Sequence, residues 1–212
     1  MSLLFATLGY RPQTLLPVIK KTSQIEEVIF YHDLTDSAIK ARDEVVRYCE
    51  SMDLPCVPTP IDDAFDFVRI AKKIRQDVRA HAKDGRSVRT FNIAGGTKLM
   101  SSAALLVCIL EGIPATYVHD KTLKPFDLPL LRMRYSDTLT PKQRTLLRYL
   151  LDNKDSDMTE IELAKALGVE KATMNHHISR LVEKGALTLA QKKGDRRAKI
   201  VKVNPAIELL LE

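Results

Sequence analysis

Cysteine is scarce in this chain of 212 residues: Cys49, Cys56 and Cys108 are the only three. They are odd in number, widely spaced and without a CxxC pair. That argues against a disulfide framework and for reduced thiols in a cytoplasmic protein, each a small buried hydrophobe. No apolar run reaches ~18 residues without a charge, which argues against a membrane span. The opening "MSLLFATLGYRP" has no positive n-region and no small-residue cleavage site, so it reads as a first strand and not as a signal peptide. Internal repeats and low-complexity segments are absent too. What is present is 45% apolar residues, enough for buried cores. The length is long for one domain and suits two small ones.

The net charge is +6. Divided at Ser136, each part carries +3, so the shorter second part is the more densely basic. Within it, "AQKKGDRRAKIVK" (190–202) holds six Lys/Arg against one Asp. A cluster of this kind is the electrostatic footprint expected of a surface that meets nucleic acid.

The first ~125 residues alternate between strand-like and helix-like patterns, which implies a mostly parallel sheet with helices on both faces. Expected strands are "SLLFATL", "EEVIFYHD" (26–33), "LPCVPTPI" (54–61), residues 89–94 and "PATYVHD" (114–120). Expected helices are 37–52, with Ser37 as cap, the amphipathic 62–85, and the run from the glycine turn to Glu111. Right-handed crossovers make this a Rossmann-like sandwich. Residues 121–136 hold two prolines and no clear period and look like a final strand or a connector. The predicted division is a sensor-type α/β domain over 1–125, a connector over 126–137 and a second domain over 138–212. Phe126, Leu128, Leu130, Leu131 and Met133 make the connector unusually apolar, so it is expected to pack against the sheet edge or a partner subunit.

The second domain reads as three helices and a hairpin, a winged helix-turn-helix. Thr140 caps the first helix with Pro141 in its first turn, and Thr159 with Glu162 forms a capping box on the second. Gly168 stops that helix and the third follows at helix-turn-helix spacing. A hairpin around Gly194-Asp195 and a last helix, "PAIELLLE", complete it. On the third helix Met174, Ile178, Leu181 and Val182 fall on one face. Lys171 lies at its start, and Thr173, Asn175, His176, Ser179 and Arg180 form the opposite face. These groups have the chemistry to reach base edges and phosphates of double-stranded DNA. Lys192, Lys193, Arg196 and Arg197 fall where a wing would cross the backbone. His176 and His177 are adjacent, so they point to different faces, and no metal is expected. The order "MTEIELAKALGVEKATMNHHISRLVEKGAL" resembles MarR-like winged helices of prokaryotic transcription regulators. The resemblance is carried by Thr173-Met174-Asn175-His176 and by Leu181-Val182-Glu183-Lys184-Gly185.

In the first domain, "RTFNIAGGTKLM" places a glycine turn between a strand and a helix, with Lys98 at the helix start. It is neither a Walker A loop, since Leu99 follows the lysine, nor GxGxxG. The physics is shared nonetheless: glycines admit close approach, and the helix start and Lys98 favour an anion. "TLGYRPQ" after the first strand supplies Thr7, Gly9, Tyr10 and Arg11 at the same edge of such a sheet, where ligands bind. Tyr10 suits a base and Arg11 a phosphate.

"NIAGGTKLM" resembles the signature of CARF domains, the ligand-sensing Rossmann-like domains of CRISPR-associated proteins. With its winged helix, the chain is similar to the CARF–winged-helix regulators of archaeal CRISPR systems. The resemblance implies a homodimer that binds a cyclic oligoadenylate, cyclic tetra-adenylate foremost, across its two-fold axis. It implies a site lined by Thr7, Leu8, Gly9, Tyr10, Arg11, Asn92, Ala94, Gly95, Gly96, Thr97 and Lys98. No resident cofactor and no catalytic residue are expected. The alternative readings are a metal-independent enzyme that cleaves the ring, with Lys98, Thr7 and Tyr10 positioning it, and a nucleotide-sensing regulator outside CRISPR biology.

Overall fold

A computed structural model describes residues 2–130, 139–154, 156–192, 195–204 and 207–211; of 195–197 and 210 only the backbone is described. The expectations for Leu131, Met133, Lys193 and the hairpin tip at Gly194, and those for the side chains of Arg196 and Arg197, lie outside the described residues. The chain divides into two compact units, Met1–Tyr135 and Ser136–Glu212.

The first unit is a six-stranded sheet ordered β3-β2-β1-β4-β5-β6. Its strands are β1 (Ser2–Leu8), β2 (Glu27–His32), β3 (Cys56–Pro60), β4 (Ser87–Asn92), β5 (Ala115–Val118) and β6 (Pro125–Asp127). All neighbours are parallel except β5 and β6. β6 takes up the start of the expected connector: Phe126 packs on Tyr117 with ring centroids 5.6 Å apart, and Leu128 N–H donates to Ala115 O at 2.8 Å. Leu128 and Leu130 are half-buried, so the described part of the connector is held at the sheet edge.

The helices are α1 (Leu16–Lys21), α2 (Asp36–Glu50), α3 (Phe67–Lys83) and α4 (Lys98–Glu111). Period-two alternation divides β1 between the two faces of the sheet. Leu4, Ala6 and Leu8 join Val18 and Ile19 of α1 and Val45 and Cys49 of α2 in one apolar cluster. On the other face Phe5 meets His81 of α3 edge-on at 5.8 Å, and Tyr31 O–H donates to Asp77 of α3 at 2.9 Å. Burial, with the Asp77 charge beside it, pushes the Tyr31 phenol well above its ordinary range. Between α3 and α4 the buried Arg75 donates to Glu111 at 2.5 Å, and Arg79 shares the same carboxylate.

Two helix starts differ from expectation. Thr35, not Ser37, caps α2, because its hydroxyl reaches Ala38 N–H and Asp33 holds Thr35 from below. α3 begins at Phe67, not at residue 62, because Asp66 caps it by accepting from Arg69 N–H at 2.9 Å.

The second unit contains α5 (Pro141–Asp152), α6 (Glu160–Ala166), α7 (Lys171–Glu183), β7 (Leu187–Lys192), β8 (Asp195–Val203) and the short α8 (Glu208–Leu211). Both expected N-caps are present as full capping boxes: Thr140 with Gln143, and Thr159 with Glu162. β7 and β8 pair antiparallel, and Thr159 makes a third, isolated bridge to Ile200. Leu147, Leu163, Met174, Ile178, Leu181, Leu187 and Val201 form the core. The fold is therefore a mostly parallel α/β domain followed by a winged helix-turn-helix.

Candidate functional site

β1 runs to β2 and β3 in one direction across the sheet, and β4 then falls on the far side of β1. The chain reverses between β1 and β4, and open α/β sheets bind ligands at that switch, outside the carboxyl ends of the strands. The two loops singled out from sequence leave those two strands. They touch through their glycines. A Cβ on Gly9 would lie 2.9 Å from Gly96 N, and one on Gly95 would lie 2.4 Å from Thr7 O and 2.8 Å from Leu8 Cα. Gly96 takes φ +81°, the left-handed region that favours glycine. The glycines thus seat the β4 turn against β1, and Gly95 uses its missing side chain for protein backbone.

The polar groups of the two loops divide into buried and exposed. Thr7, Leu8 and Asn92 are each 0% exposed. Asn92 donates to Thr14 O at 2.8 Å and accepts from Ala94 N–H, tying the two loops from beneath. Thr97 caps α4 by accepting from Met100 N–H at 3.1 Å, and it donates to Ala64 O at 2.8 Å. Ser101 donates to Gly95 O at 2.9 Å. The exposed part is formed by Tyr10, Arg11 and Lys98, with Ala94, Gly96 and Thr97 half-exposed between them. Lys98 is the first residue of a helix of 14 residues, so its charge adds to the positive end of that helix. This surface suits an anion with aromatic bases. Thr7, whose hydroxyl is buried without a partner, stands beneath it and not on it.

Sequence reasoning missed Phe65. It is 74% exposed and follows Ala64, the residue whose carbonyl binds Thr97. The signal was Asp66 as an N-cap, which leaves Phe65 outside the helix that begins after it. Grooves of about 680 and 660 Å³ open at the opposite, amino-terminal edge of the sheet, around Ser2, Ser87 and Thr116 and around Val78, Lys83 and Gly112. Strand direction and charge, neither of which depends on groove volume, favour the carboxyl-terminal edge as the ligand site.

On the winged helix the predicted faces hold. Met174, Ile178 and Leu181 are buried; Lys171, Asn175, His176, Ser179 and Arg180 are exposed, and Thr173 is half-buried at the rim. Ser179 donates to Asn175 Oδ1 at 3.2 Å, and Arg180 pairs with Glu183 at 3.0 Å. Both contacts are exposed, so little opposes their exchange for another partner. Lys192 of β7 lies 3.4 Å from Glu162 of α6 and links the wing to the helix-turn-helix. His177 turns inward beside Lys142; burial, then the charges of His176 and Lys142, hold its imidazole below the usual range.

A switch-point α/β domain followed in the chain by a winged helix is the class that fold and surface define. Two families match the chain. Residues 137–198 match the MarR family, and residues 61–131 match the family described as CRISPR-associated protein (Cas_APE2256). The chain thus joins a CRISPR-associated, CARF-type domain to a MarR-family winged helix, as both resemblances implied. No curated protein matches the chain. Solved structures that resemble it include the S. aureus MepR–DNA complex, at 24% identity over 34% of this chain and 54% of that one, TM-score 0.33. A transcriptional regulator from Thermotoga maritima matches at 28% identity over 35% and 54%, TM-score 0.32. The heme sensor PefR from Streptococcus agalactiae, in complex with heme, matches at 19% over 36% and 52%, TM-score 0.34. The chain spans about half the length of these structures. Among the described residues no helix is long and apolar enough to cross a membrane.

Proposed function

We propose that the chain is a ligand-responsive, DNA-binding transcription regulator of a CRISPR–Cas system. Its effector is a cyclic oligoadenylate, cyclic tetra-adenylate in the first instance, held by a homodimer. The observation that carries this reading is the closure of the Gly9 and Gly95–Gly96 loops on each other at the β1/β4 switch point, with Tyr10, Arg11 and Lys98 on the open side. The two family matches support it from an independent direction. A ring of identical nucleotides has a symmetry that a two-fold pair of such edges can match. The same axis serves the winged helices, since two copies of α7 read two half-sites in successive major grooves. Ligand and DNA are then coupled through the shared axis, and the coupling is reciprocal.

Calorimetric titration with cyclic oligoadenylates of different ring sizes tests the sensor. We expect saturable binding at one ring per dimer and an altered affinity for operator DNA. Resolving the nucleotide after incubation distinguishes a sensor, which returns the ring intact, from an enzyme that opens it. A protein that binds no cyclic oligoadenylate, or stays monomeric both free and on DNA, would refute the reading.

A further inference from the structure

We propose that Phe65 is a nucleobase-stacking residue of the ligand site, on a third loop that takes the uncharged part of a purine nucleotide while Arg11 and Lys98 take its phosphates. This rests on the functional reading above and deepens it.

Four observations place Phe65 there. The β3–α3 loop leaves the same carboxyl edge as the two glycine loops. It is tied to them directly, because Thr97 Oγ1 donates to Ala64 O at 2.8 Å. The loop is also held rigidly. Ile61 N–H donates to His32 O at 2.8 Å, Phe65 N–H donates to Asp63 Oδ1 at 2.8 Å, and Asp66 caps α3. Ala64 is buried while its neighbour Phe65 is 74% exposed, so the ring projects into solvent from a loop joined to Thr97. A single exposed aromatic is ordinary on a protein surface. An aromatic on a hydrogen-bonded loop that is joined to an anion-favouring helix start offers a stacking face whose backbone is already ordered.

Charge decides which part of a nucleotide meets the ring. Asp62, Asp63 and Asp66 flank Phe65, and Arg69, paired with Asp62 at 3.2 Å, is the cation beside them. A phosphate there would be repelled, whereas a neutral base would not. Arg11 and Lys98 on the adjacent loops favour the phosphate instead. Tyr10, 69% exposed on the β1 loop, is the second aromatic face at this edge. Two copies of the chain would present four such faces, one for each base of a four-membered ring.

The chain contains no tryptophan, so Phe65→Trp creates a single fluorescent reporter. With cyclic tetra-adenylate as the probe, Phe65→Ala removes the stack from both copies at once and should lower affinity about thirtyfold or more, the worth of two base–aromatic stacks. Phe65→Trp should keep near wild-type affinity, and its emission should be quenched on adding the ring. Because the side chain is exposed, neither variant should shift the unfolding midpoint. Wild-type affinity in Phe65→Ala would overturn the proposal. So would a Phe65→Ala protein that becomes monomeric while the Trp variant stays unquenched by the ring, which would assign the side chain to a contact between copies. If wild type itself binds no ring, the functional reading fails and the stacking role with it. Loss of binding in Lys98→Ala but not in Phe65→Ala removes only the stacking role.

Discussion

The carboxyl edge of the sheet and the outer face of α7 use their residues in opposite ways. At the sheet edge the two loops turn much of their polarity inward: Asn92 binds Thr14, Thr97 binds Ala64 and Met100, and Thr7 is sealed beneath Gly95. On α7 Lys171, Asn175, His176, Ser179 and Arg180 stand outward on an exposed face, and the fully buried residues are the apolar Met174, Ile178 and Leu181. A loop must satisfy its own backbone with whatever side chains it has, because it lacks a regular ladder. A helix satisfies its backbone internally and leaves its side chains free for a partner. Mutations of the inward-turned residues at the sheet edge should therefore act first on folding, and mutations on the outer face of α7 first on recognition.

The largest effect should separate these two kinds of site. Gly95→Ala puts a Cβ 2.4 Å from Thr7 O and 2.8 Å from Leu8 Cα, both backbone atoms that cannot yield without moving β1. We expect a loss of about 3 kcal/mol or more in the first unit, read by chemical denaturation. Gly168→Ala is the control in the second unit. Its φ is +62° but nothing lies within 4 Å of the new atom, so the loss should be about 1 kcal/mol. Equal losses would remove the assignment of Gly95 as a packing wedge.

Lys98→Ala and Arg11→Ala come next, because both side chains are exposed and neither supports the fold. Lys98→Ala should weaken a cyclic oligoadenylate about ten- to a hundredfold for each copy of the lysine that meets the ring, the worth of ~1.5–3 kcal/mol for a charge-assisted hydrogen bond, with the unfolding midpoint unchanged. Unaltered ligand affinity in the variant, with binding demonstrated for wild type, would contradict the proposed site.

On α7, Asn175→Ala and Arg180→Ala should relax sequence choice by ~1–3 kcal/mol per lost base contact. Arg196→Ala and Arg197→Ala should weaken every DNA about equally and flatten the salt dependence by about one unit each. Binding to a randomised operator pool at several salt concentrations separates the two behaviours. Wing variants that alter sequence preference while α7 variants do not would reverse the roles.

How much was legible follows the same division. The buried and exposed faces of α7 came from 3.6-residue periodicity, and the caps at Thr140 and Thr159 came from local chemistry; both lie within a few residues of sequence. The order of β1, β2, β4 and α4 was readable from alternation. α1 was not, because six residues with Pro17 at the start and no side-chain cap carry no periodic signal. The roles of Asn92 and Thr97 depend on Thr14 and Ala64, partners 78 and 33 residues away, which no local pattern reveals. Phe65 was hidden by running a helix through it from residue 62, when Asp66 is the residue that stops the loop.

The smallest effect concerns the link between wing and helix-turn-helix. Glu162 accepts from Thr159 N–H at 2.7 Å and from its hydroxyl at 2.9 Å, and Lys192 lies beside it. These partners, the backbone N–H of Thr159 first, hold its carboxyl below the usual carboxylate range. A carboxylate whose folded pKa is depressed stabilises the fold above its unfolded value and loses that contribution as pH falls through the folded one. The capping box and the Lys192 contact should therefore be intact at neutral pH and loosen together as the solution is acidified below the ordinary glutamate range of ~4.3. Glu162→Gln keeps an acceptor for Thr159 N–H but carries no charge. Its second unit should accordingly show a flatter loss of stability with acid than wild type, while Thr159→Ala should cost ~1 kcal/mol at neutral pH by removing the cap itself. Amide hydrogen exchange at the start of α6, followed from neutral to acidic pH, reads both. An identical acid slope in wild type and Glu162→Gln would mean that the carboxylate contributes only its shape, and that the wing is not held to α6 by charge.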